Sequence, residues 1–141
     1  LKIISASEFR IAILFLQRFF NALGVHLNDL IILRDLLRQF AADRDWDQFH
    51  SPKNLASALA VEAAELLEPF QWLTEEQSRT LTLKQAADVR KEIADVFIYL
   101  VRLADKLDVD LVAAAWEKVA ENASKYPVSK SMGTSRKYTD F

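Results

Sequence analysis

The chain is predicted to be all-α on three observations. Glycine is scarce, with only Gly24 and Gly133 in 141 residues. The stretches between the three prolines, Pro52, Pro69 and Pro127, are rich in the helix formers Ala, Leu, Glu, Lys and Gln. Apolar residues recur at spacings of three and four, and no stretch alternates with the period of two that a half-buried strand requires. At this length a single domain is the default. The expected division is an apolar extension at 1–27, a helical domain at 28–127 and a polar tail at 128–141.

Residues 1–24 are strongly apolar around Ile11–Leu16, but Glu8, Arg10 and Arg18 interrupt them. A membrane span needs about 20 predominantly apolar residues, so none is expected. A helix buried or packed between subunits is the preferred reading; a membrane-surface segment and a leader segment are the alternatives. The next helix is predicted from Asn28, as cap, to about Arg44, with Leu30, Leu33, Leu36, Leu37 and Phe40 as its apolar stripe. Ser51-Pro52 places a capping hydroxyl before a proline at the first helical position, and Pro69 stops that helix near Glu68. Thr74-Glu-Glu-Gln77 and Thr82-Leu-Lys-Gln85 both match the capping box. The first opens a short turn and the second a long helix to about Leu107. Asp108 or Asp110 caps the last helix, which ends near Tyr126-Pro127.

Composition narrows the function classes. The net charge is −2, which disfavours a broad nucleic-acid surface. Cysteine is absent, so disulfides and thiolate metal sites are excluded, and a cytoplasmic setting fits. Two isolated glycines cannot build a phosphate-cradling loop or a dinucleotide fingerprint. Any phosphate has to be held by a metal, side chains or helix ends.

Two acidic pairs remain: Glu62-Ala-Ala-Glu65 and Glu92-Ile-Ala-Asp95. Residues three apart share a helix face, so each pair aims two carboxylates the same way. On the first helix Leu55, Ala58, Leu59 and Leu66 lie within about 60° of Glu62. A carboxylate in the middle of an apolar face is costly unless paired or metal-bound. On the second helix Ile93, Val96, Leu100, Ala104 and Leu107 read as the core stripe. Glu92 and Asp95, with Asp88, Tyr99 and Arg102, lie on the other side, which a solvated charged face also explains. If the two faces meet, four carboxylates converge and require a cation. Hard oxygen ligands suit Mg²⁺, which commonly shares its shell with substrate phosphates. A di-iron bundle needs Glu-x-x-His twice, and neither His26 nor His50 supplies it.

These pairs and their surroundings resemble the MazG-like all-α nucleoside triphosphate pyrophosphohydrolases, and within them the dCTP pyrophosphatase branch. The stretches carrying the resemblance are Phe40–His50, Ser51–Asn54, Glu62–Glu65, Pro69–Trp72, Glu92–Leu100, Lys125–Pro127 and Ser135–Thr139. The resemblance implies a MazG-like helical bundle completed by oligomerisation, as a homodimer or homotetramer. It implies cleavage of a (d)NTP, such as dCTP or a modified dCTP, to the (d)NMP and pyrophosphate, in a role of nucleotide-pool sanitation. It places catalysis and Mg²⁺ ligation on Glu62, Glu65, Glu92 and Asp95, with Glu65 as candidate general base. Substrate contact falls to Trp46, His50, Trp72, Tyr99, Lys118, Asn122, Lys125 and Tyr126, while Trp116 stays in the core. Relatives carry a histidine nine residues before the Trp46 position; Leu37 stands there in this chain and leaves base preference open. The rival readings are a non-catalytic helical interaction module, in which the acids are solubilising charge, and a peripheral membrane protein anchored by residues 1–24.

Overall fold

A computed structural model describes residues 27–141. The apolar extension, and every expectation attached to it, lies outside the described residues. Among the described residues there is no strand, and the chain is all-helical. The order is α1 (Leu27–Ala42), α2 (Pro52–Leu67), α3 (Glu75–Ser78), α4 (Leu83–Lys106), α5 (Leu111–Lys125) and α6 (Val128–Ser131), followed by a 3₁₀ turn at Tyr138–Asp140. No helix among them is long and apolar enough to cross a membrane.

Local chemistry sets the helix starts. Ser51 Oγ accepts from Asn54 N at 3.2 Å, one residue before Pro52 at the first helical position. Thr74 and Thr82 each form a full capping box, with Gln77 and Gln85 returning the bond to the cap N–H. Of the two aspartates eligible to cap α5, Asp110 does so, accepting from Val112 and Ala113. Asp108 instead takes a positive φ of 54° in the turn after α4. The first helix begins at Leu27, so Asn28 falls inside it rather than at its cap. Residues 128–141 form a structured end: Tyr126 meets the rings of Tyr138 and Phe141 edge-on, at 5.7 and 6.1 Å.

Two compact units divide the described chain. Residues 31–109 make up one, and Asp110–Phe141 belong to the other. Within the first, α2 packs along α4. Among the described residues the buried apolar ones are few: Ala41, Leu55, Val89, Val101 and Ala104.

The expected core stripe of α4 is not buried as a stripe. Ile93 is 54% exposed, Leu100 37% and Leu107 53%, and only Ala104 is fully covered. Glu92, Asp95 and Tyr99 are half-buried instead. The reason is the choice of face: α4 turns part of its acidic side inward within the unit and leaves much of its apolar side open. Arg102, read from sequence as part of the charged outer side, is 3% exposed. Trp116, expected in the core, is half-buried.

Candidate metal and nucleotide site

The register of α2 carries Glu62 on the same side as Leu55, which is 1% exposed. Glu62 is half-buried, whereas Glu65, one turn on, is exposed. From α4, Glu92 reaches the same place. One carboxylate oxygen from each of Glu62, Glu65 and Glu92 lies within 4.8 Å of the others. Asp95 is not a member of this group of three, although its charge is felt at Glu62. Burial, followed by the charges of Glu65, Asp95 and Glu92, raises the Glu62 pKa above the ordinary glutamate value. Three converging carboxyl groups with no cationic partner among the described residues form a hard, anionic donor set. That chemistry fits a small divalent cation such as Mg²⁺, with open positions left for water and phosphate oxygens.

The loop between α1 and α2 presents the next group. Asp45 takes a positive φ of 53°, which turns the chain sharply after α1. Trp46 N then donates to Ala41 O at 2.9 Å. Phe40 meets Trp46 edge-on at 5.8 Å, and Trp46 meets His50 at 6.3 Å. The Arg44 guanidinium lies 3.6 Å above the Phe40 ring. Burial first, and then the positive charge of Arg102, lowers the His50 pKa against the opposing pull of Asp47, which favours the neutral ring. Trp72, in the turn after α2, is 87% exposed. An indole held in water without covering neighbours is available to a flat ligand. Tyr99 lies one turn beyond Asp95 on α4 and is half-buried.

Residues expected to bind substrate on the last helix belong to the second unit. Lys118 and Lys125 both bond to Glu121, Lys118 at 2.7 Å. Glu121 had no place in the sequence reading. The hydrogen bonds from Lys118 and then Lys125 hold its pKa down at about 2. The Lys125 ammonium also lies 5.3 Å from the centre of the Tyr138 ring. Asn122 is exposed on the same helix, and Tyr126 forms its C-cap.

One further group escaped sequence reasoning. Asp47 bonds to Arg102 at 3.0 Å and to Lys106 at 2.8 Å, ties made across more than fifty residues of sequence. The bond from Lys106 leads the causes that lower the Asp47 pKa. The only sequence signal for this group is that Arg102 follows Glu92, Asp95 and Tyr99 on one helix face.

Known proteins resemble this chain in sequence and in fold. The model of the MazG-like family matches residues 58–141. Over 110 residues the chain is 46% identical to dCTP pyrophosphatase 1 of Mus musculus and 43% identical to that of Homo sapiens, covering 77% of this chain and 65% of each relative. The chain thus spans about two thirds of the length of these relatives, falling just short of it. The crystal structure of a pyrophosphatase from Archaeoglobus fulgidus superposes with a TM-score of 0.66 at 39% identity, over 72% of this chain and 93% of that one. With its helical fold, its paired acids and these matches, the chain belongs to the MazG-like family.

Proposed function

We propose that the protein is a Mg²⁺-dependent nucleoside triphosphate pyrophosphohydrolase that yields a nucleoside monophosphate and pyrophosphate. The observation that carries this reading is the approach of the Glu62, Glu65 and Glu92 carboxylates to within 4.8 Å, with Glu62 half-buried. The likeness to dCTP pyrophosphatase 1 supports a deoxynucleotide substrate such as dCTP or a modified dCTP. Leu37 presents no hydrogen-bonding group to a base edge, so the base is left open by this position.

Glu62, Glu65, Glu92 and Asp95 would hold the cation, which when bound neutralises triphosphate charge and activates water. Glu65 is the exposed member of the group and is suited to take the proton of the attacking water. Trp72, exposed, and Trp46, edge-on to His50, offer indole faces for the base. In its favoured neutral form His50 keeps a ring N–H to donate. Tyr99 extends the acidic face by one turn. Lys118, Asn122, Lys125 and Tyr126, which the family resemblance assigns to phosphate and sugar, belong to the other unit, where Glu121 holds both ammonium groups.

The open apolar side of α4, with Ile93, Phe97, Leu100 and Leu107 all exposed, supports a homodimer or homotetramer in which a second copy covers it. The lack of cysteine fits a reducing cytoplasm. The test is product analysis across canonical and modified dNTPs with Mg²⁺. Pyrophosphate together with the monophosphate is expected. Orthophosphate release, or no turnover across the panel, would overturn the assignment.

A further inference from the structure

Arg102 is the most deeply buried charged residue among those described, with its partner carboxylate on Asp105 nearly as covered, and its Nε finds no hydrogen-bond partner among them. Its other two nitrogens are committed. Nη1 donates to Asp105 at 2.9 Å, and Nη2 donates to Asp47 at 3.0 Å. Nη2 also lies 3.4 Å from His50 Nδ1. Asp105 is held a second time by Arg38, from Nε at 2.9 Å, and Asp47 a second time by Lys106. The result is a chain of alternating charge, Arg38–Asp105–Arg102–Asp47–Lys106, that ties α1, α4 and the loop carrying Trp46 and His50.

Stability alone does not explain such a group. A buried ion pair is often no better for stability than apolar residues of the same volume, and a buried unpaired donor has a cost of its own. Position explains it better. Glu92, Asp95, Tyr99 and Arg102 fall within about 80° of one another around α4. One face of one helix therefore carries carboxylates, then a phenol, then the anchor of the aromatic loop. Guanidinium has donors and no acceptor, so the ring nitrogen it faces has to be the bare one. That leaves the neutral His50 proton on Nε2, where it can be donated.

We propose that Arg102 and Asp47 are positioning residues: through Asp47, Arg102 clamps the Trp46–His50 loop to α4, and through its contact with Nδ1 it holds His50 as an Nε2–H donor toward the nucleotide base. The inference rests on the reading of Trp46 and His50 as base contacts.

Two variants test it. The Asp47 side chain is 59% exposed, so Asp47→Ala retains the fold. With 5-fluorotryptophan in place of the three tryptophans, the Trp46 resonance is expected to move in this variant while those of Trp72 and Trp116 stay. In turnover, KM for the dNTP rises about tenfold and kcat stays within about twofold, as expected for a lost ground-state positioning contact. Arg102→Lys substitutes a point charge for a planar fork and cannot serve Asp47, Asp105 and His50 together. Its long-range ¹H–¹⁵N spectrum should lose the single Nε2–H pattern of His50. An unmoved Trp46 signal, an unchanged His50 pattern, or a fall in kcat at constant KM would each overturn the proposal. So would a drop in melting temperature with every other readout unchanged, since that is a purely structural role. If Arg102→Lys does not fold, the Asp47→Ala arm decides. Both spectra need no turnover: a parent protein that hydrolyses no nucleotide but shows these shifts refutes the hydrolase reading and keeps the clamp.

Discussion

Glu62→Gln should make the metal-free protein more stable while removing its activity. The Glu62 carboxylate sits within 4.8 Å of those of Glu65 and Glu92 and is partly withdrawn from water. At that distance Coulomb's law gives about 1–3.5 kcal/mol per pair for effective dielectrics of 80 to 20. Glu65 is exposed, so screening favours the low end for its pair. A neutral isostere at position 62 therefore relieves about 1–2 kcal/mol, a rise in Tm of about 3–8 °C for a domain of this size. The pH dependence follows with a definite sign. The folded state holds the Glu62 proton more tightly than the unfolded chain does. In EDTA, the contribution of Glu62 to stability is therefore fully present below the ordinary glutamate range and is lost as pH rises through its raised folded value, while the lowered Asp47 and Glu121 carboxyls act with the opposite sign. That loss should be smaller in Glu62→Gln. Mg²⁺ should raise the Tm of the parent strongly, because a ligand at a hundred times its Kd adds about 2.7 kcal/mol. The variant should gain much less and release no pyrophosphate. Differential scanning calorimetry in EDTA and in MgCl₂, from pH 4 to 8, measures all of this. A variant that melts at or below the parent temperature in EDTA would refute the claim that the acids repel one another in a built cation site.

Leu55→Ala removes the largest fully buried side chain among the described residues, on the helix that carries Glu62, and should cost about 2–5 kcal/mol, read as a lower urea midpoint at constant m-value. Thr82→Ala breaks one half of the capping box that starts α4 and should cost about 1 kcal/mol in the same assay. Trp72 is so exposed that Trp72→Ala should change stability by less than about 0.5 kcal/mol. If it stacks on the base, the same change weakens nucleotide binding by about 1–3 kcal/mol, measurable by titration calorimetry with a non-hydrolysable dNTP analogue.

The caps were legible in the sequence because each is a local event. Ser51, Thr74, Thr82 and Asp110 bond to residues two or three positions away, and short patterns encode such bonds. The convergence of Glu62, Glu65 and Glu92 was legible for a related reason: a carboxylate surrounded by Leu55, Ala58, Leu59 and Leu66 on one face needs something to meet. The inner side of α4 was not. Periodicity identifies an apolar stripe but not what covers it, and among the described residues Ile93 and Leu100 of this stripe are exposed. Arg102 was assigned to the outer side because its partner Asp47 lies 55 positions earlier. No single-helix pattern reports that bond. Glu121 is not legible for a simpler reason: a lone acid on a helix end reads as solvated charge until the i−3 and i+4 bonds to Lys118 and Lys125 are seen.

The order of groups along α4 also makes that helix a ruler. From Glu92 to Arg102 the axis advances about 15 Å at 1.5 Å per residue, without a proline or glycine to bend it. On the proposed reading, the end that would meet phosphate and the end that anchors the Trp46–His50 loop are thus graduated on one rigid rod rather than on two hinged pieces. Inserting or deleting a single residue between Asp95 and Arg102 would rotate one end against the other by about 100°. Substitutions can retune what each mark on the rod touches, but its length admits no small adjustment.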